Sequence, residues 1–107
     1  MELQKIINRA MDLRRQYEKK EQQLYGSPST DEDIAQGLLA DANNLVKLVM
    51  AEHGKREILH SAEKLGSHLS HCLWSVIVLA KMQDVDLEQS FMETMDKLEN
   101  HLLETQE

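Results

Sequence analysis

The segment Cys72-Leu73-Trp74-Ser75-Val76-Ile77-Val78-Leu79-Ala80 is apolar on nearly every side of the helix it is expected to form. Such a helix has to be covered on most sides, and a chain of 107 residues has few other elements to cover it with. We therefore expect an oligomer, a homodimer or a homotetramer. The run falls short of the about eighteen apolar residues that mark a membrane-spanning helix, so no membrane partner is expected.

The rest of the chain reads as helix at the same 3.6-residue period, giving one all-α domain over residues 1–107, a four-helix bundle or an interlocked helical dimer. A first helix is expected over about residues 2–25, with Leu3, Ile6, Ile7, Ala10, Met11, Leu13 and Tyr17 on its apolar stripe. Arg14, Arg15, Lys19 and Lys20 are read as lying off that stripe, and Gly26 and Pro28 end the helix. A second helix, about 30–53, opens on Thr30 and Asp33 as a capping box and ends at Gly54. A third runs over about 57–83, with Gly66 as a possible bend. A fourth, about 87–103, starts from Asp86 with Gln89 and carries Leu87, Phe91, Met95, Leu98 and Leu102; the tail after Leu103 is expected to fray.

Charge removes several function classes. The formal net charge of −7 argues against nonspecific nucleic-acid binding, which needs a basic surface. The first residues, MELQKIINRAMDL, have no apolar signal-peptide run. The single Cys72 cannot form an intrachain disulfide and is expected to be buried and inert. These features point to the cytoplasm.

Four polar residues interrupt the apolar faces in a matched pattern. Asp41 and Asn44 lie one turn apart on the second helix, and His68 and His71 one turn apart on the third. An antiparallel packing of the two helices across the Gly54 connection is expected to turn the pairs toward each other. Two imidazoles and a carboxylate are a donor set for Zn²⁺, Mn²⁺ or Fe²⁺. Polar residues at a stripe edge are also often simply solvated.

Three stretches carry a resemblance: Gln36 to Met50 (QGLLADANNLVKLVM), His68 to Ala80 (HLSHCLWSVIVLA) and Val85 to Met95 (VDLEQSFMETM). With the Leu73-Trp74 pair and the Asp86-Leu87-Glu88 turn as its most specific matches, the chain resembles the MazG-like nucleotide pyrophosphohydrolases. The resemblance implies an all-α fold, conversion of nucleoside triphosphates to monophosphate and pyrophosphate, and four acidic side chains holding Mg²⁺ against the triphosphate. Those acids fall on Asp41, Asn44, His68 and His71, and a Lys and an Asn of the last helix fall on Thr94 and Leu98. Glu52, Glu57 and Glu63 lie nearby but off the motif spacing, and are read as solvated.

Only one of the four ligand positions is acidic here. Each lost carboxylate removes an attraction worth about 4 kcal/mol per charge pair at contact distance in a partly buried site, and imidazole is a poor Mg²⁺ ligand. Mg²⁺-dependent turnover is therefore expected to be weak or absent. Three functions fit this pattern: a nucleotide-binding relative in which His68, His71 and Asn44 contact phosphate, a pyrophosphohydrolase working with another divalent metal, and a helical oligomerisation module.

Overall fold

The computed structural model of the chain describes residues 2–104, and these contain four α-helices and no strand. They are α1 (Leu3–Tyr25), α2 (Asp31–Glu52), α3 (Ser61–Met82) and α4 (Leu87–Glu104). Residues 105–107, where most of the expected fraying falls, lie outside the described residues; α4 itself runs on through Glu104. No helix among the described residues is long and apolar enough to cross a membrane.

The helix ends follow from local chemistry. Gly26 takes a left-handed φ of 81° and its N–H reaches Gln22 O, which closes α1. The Thr30 capping box is complete: the Asp33 N–H donates to Thr30 Oγ1, and the Thr30 N–H to Asp33 Oδ2. At the end of α2, Gly54 (φ 74°) sends its N–H to Ala51 O while Lys55 reaches Met50 O, a Schellman closure. The box expected at α4 is half made. The Gln89 N–H does donate to Asp86 Oδ1, but the Gln89 side chain turns to Glu93 instead.

Two expectations for the third helix are corrected. It starts at Ser61 rather than near Glu57, because His60 stands in the left-handed region (φ 58°) and residues 53–60 form the turn. Ile58 and Leu59 therefore belong to the connection, not to the helix. Gly66 neither bends nor splits it; α3 is continuous, and Ser70 Oγ donates back to Gly66 O.

α2 and α3 form an antiparallel hairpin tied along its length. Gln83 Nε2 donates to Asp31 Oδ2 at one end and Ser61 Oγ to Glu52 Oε1 at the other, with the Asp41–His68 contact between them. α1 lies across α3. Ile7 and Ala10 pack on Ile77, with Leu3, Ile6, Met11, Trp74 and Leu87 around them, and the Trp74 Nε1–H donates to Ala10 O at 3.3 Å. Ile77 and Val78 are the two side chains buried completely, so the apolar run of α3 is the centre of the core.

That run is not covered all round. Leu73 and Val76 remain exposed, and Cys72 is half-buried rather than buried. α4 is anchored by Leu87 and carries no buried residue of its own, so the four helices do not close into a bundle.

Ile77→Ala is expected to lower the unfolding free energy by about 2–5 kcal/mol, since it opens a cavity at the centre of the core. Leu24→Ala, on an exposed side chain, is expected to change it by no more than about 0.5 kcal/mol. Urea denaturation followed by circular dichroism measures both.

Candidate functional site

The hairpin register brings Asp41 of α2 against His68 and His71 of α3. His68 Nδ1 donates to Asp41 Oδ1 at 2.9 Å, and His71 Nδ1 stands 4.0 Å from the same oxygen. The two imidazoles meet edge to face with centroids 6.0 Å apart. One donor atom from each of the three residues lies within 4.8 Å of the others. Asp41 and His68 are 22% and 27% exposed, whereas His71 is 63% exposed and forms the open side of the cluster.

The fourth expected residue behaves differently. Asn44 is half-buried one turn along α2 and makes no side-chain hydrogen bond to the cluster. Glu52, Glu57 and Glu63 are all exposed and none joins the cluster; Glu52 accepts from Ser61 instead.

The cluster stands at the rim of a cleft of about 570 Å³ enclosed by α1, α2 and α3. Asp41 and His71 line one side, and Tyr17 and Trp74 supply an aromatic wall, their rings 6.1 Å apart and tilted by 60°. Gly37 and Ser70 add little bulk, which leaves the space open. A volume of this size falls in the range of small-molecule sites. His68 does not line it; it stands behind Asp41.

One residue of the cleft corrects the sequence reading. Arg14, read as lying off the apolar stripe, is only 3% exposed. Its guanidinium donates to Ser29 O at 2.8 Å and to Glu21 Oε1 at 3.4 Å, with Glu18 3.7 Å away. Glu21 in turn accepts from the Ser29 N–H and from Ser29 Oγ. The three side chains fasten the α1–α2 connection to α1, and all three line the cleft. A signal was present: Ile7, Ala10, Arg14, Tyr17 and Glu21 follow one another at three- and four-residue steps. Charge concealed that Arg14 continues the buried face, with Glu21 half-buried two turns on.

The donor set does not fit Mg²⁺. That ion takes oxygen ligands in near-octahedral array, and the cluster offers one carboxylate with two imidazoles. No Mg²⁺-dependent step can be assigned to these residues on that chemistry. Compared with models of known protein families, with curated proteins and with solved structures, the chain matches none.

Two carboxyls titrate below their ordinary range. The Ser29 backbone N–H, aided by Ser29 Oγ and Arg14, stabilises the Glu21 carboxylate against the opposing cost of burial. The Thr30 N–H and hydroxyl do the same for Asp33. A lowered folded pKa adds stability above the unfolded value, 4.5 for Glu21, and loses it as pH falls through the folded value. Denaturation midpoints measured from about pH 6 down to about pH 3 should therefore fall for the native chain and fall less for Glu21→Gln, which keeps the shape and removes the titration. Equal slopes for the two proteins would contradict the role given to Glu21.

Proposed function

We propose that the chain is a MazG-like helical module that binds a nucleoside triphosphate, and that its Mg²⁺-dependent pyrophosphohydrolysis is weak or absent. The observation that carries this reading is the continuity of the cleft from the Tyr17–Trp74 wall to the Asp41–His71 rim. An aromatic wall accepts a base by stacking, worth about 1–3 kcal/mol per base. Imidazole N–H groups at the rim donate to phosphate oxygens, His71 first because it is the most exposed of the three. His68 and Asn44 stand further back and would contact phosphate only at the inner end of a chain of phosphates. The weak hydrolysis follows from the donor set, since the reaction needs charge neutralised on the phosphates and the cluster supplies no carboxylate cage for Mg²⁺.

Trp74 is the sole tryptophan and lines the cleft, so its fluorescence reports ligand entry. Nucleoside triphosphates are expected to change that fluorescence saturably, and Tyr17→Ala to weaken binding by about tenfold, equivalent to about 1.4 kcal/mol of stacking. Pyrophosphate release with Mg²⁺ is expected to stay near background. A folded protein whose fluorescence ignores every nucleotide of a ribo- and deoxyribonucleotide panel would sink the reading.

The reading includes association with a second copy, as a homodimer or homotetramer. The chain exposes 8412 Å², against about 6,100 Å² for a compact monomer of 12.3 kDa. Its radius of gyration is 17.2 Å, where a compact chain of this length has about 13 Å. The excess of about 2,300 Å² is what an obligate interface removes from each partner. The apolar surface that supplies it is at hand: Phe91, Met92, Met95 and Leu98 on α4, Leu69, Leu73 and Val76 on α3, and Leu39 and Val46 on α2 are all exposed. Sedimentation equilibrium is expected to return a multiple of 12.3 kDa, and the pair Phe91→Glu with Met95→Glu to lower it. A single-chain mass at high concentration would contradict the association.

A further inference from the structure

We propose that Asp41, His68 and His71 form a three-ligand site for a borderline divalent transition-metal ion, Zn²⁺ above all, with the remaining coordination position open to the cleft. The inference stands on the cluster alone and does not need the nucleotide reading.

Donor chemistry selects the metal. Imidazole nitrogen suits Zn²⁺ and its neighbours in the first transition row, and a single carboxylate completes a His₂Asp set. Mg²⁺ is excluded by the same donors. Geometry allows the ion. A tetrahedral Zn²⁺ with bonds of about 2.0–2.1 Å sets its donors about 3.3 Å apart. The contacts at 2.9 and 4.0 Å bracket that separation, and all three donors stay within 4.8 Å; metal binding would replace the His68–Asp41 hydrogen bond, with the ring proton of His68 moving from Nδ1 to Nε2. The outermost donor, on His71, belongs to an exposed side chain that is free to turn inward. The scaffold holds the other two: the hairpin register fixes Asp41 of α2 against His68 of α3.

Three protein ligands leave one position for water or a ligand atom, the arrangement of a reactive rather than a structural zinc site. Asp41 and His71 line the cleft and His68 does not, so the open position turns toward the cleft. A bound divalent ion would add two positive charges at the rim, which strengthens its attraction for an oxyanion such as phosphate.

The test uses the full chain stripped of metal by a chelator, with no nucleotide present. Titration with Co²⁺ is expected to give the intense visible bands of a tetrahedral ion, and Zn²⁺ to displace it at about one ion per chain. Calorimetry is expected to show Zn²⁺ binding at least about 100-fold tighter than Mg²⁺. His71→Ala, on an exposed side chain whose loss leaves the fold intact, is expected to cost at least about tenfold in Zn²⁺ affinity, and Asp41→Asn a similar factor. Circular dichroism checks the fold of each variant. A folded native protein that binds no Zn²⁺, or binds it equally well after both substitutions, would overturn the site. Because no nucleotide is involved, that failure would leave the cleft reading to its own test.

Discussion

The antiparallel register of α2 and α3 is the constraint on which the rest depends. It is tied at three levels, by Asp31 with Gln83, Asp41 with His68 and Glu52 with Ser61. A slip of one helical turn would move one helix past the other by about 5.4 Å, more than the span of the whole cluster, and Asp41 would no longer meet either histidine. Trp74 closes on Tyr17 and Ala10 of α1, so the aromatic wall rests on the α1–α3 contact while the polar rim rests on the α2–α3 pairing.

What fixes that register is only partly local. The Schellman closure at Gly54 and the left-handed His60 set the geometry of the turn at one end. Burial of Ile77 and Val78 sets the face of α3 that turns inward. The cost of this arrangement is a small core. α1 rests on α3 through a few side chains around Ile77, and α4 is held by its first residue. Much apolar surface is therefore left outside.

The all-α class, the four helices and the Thr30 box were legible because each is written in short-range chemistry: apolar period, capping residues and a glycine at a left-handed stop. The pairing of Asp41 with His68 and His71 was legible as two turn-spaced pairs, once an antiparallel hairpin was assumed. Three features were not legible, each for a physical reason. Ile58 and Leu59 read as helical because their spacing is right, but the left-handed His60 belongs to the turn and no periodicity marks it. Arg14 read as lying off the apolar stripe because its charge conceals its partners: a carbonyl at Ser29 and a carboxylate at Glu21. The open position of α4 could not be read from its stripe, since a stripe tells which face is apolar and not what covers it.

The polar cluster shows how donor identity and fold separate. The helical scaffold brings Asp41 of one helix against His68 and His71 of another, and donor type governs which ion such a set prefers. The most direct test is a crystal structure of the chain soaked in Zn²⁺, with diffraction recorded on both sides of the zinc absorption edge. The predicted result is an anomalous peak at about 2.0–2.2 Å from a carboxylate oxygen of Asp41 and from a ring nitrogen of both His68 and His71. An intact α2–α3 hairpin with His68 still donating to Asp41 and no peak beside them would contradict it.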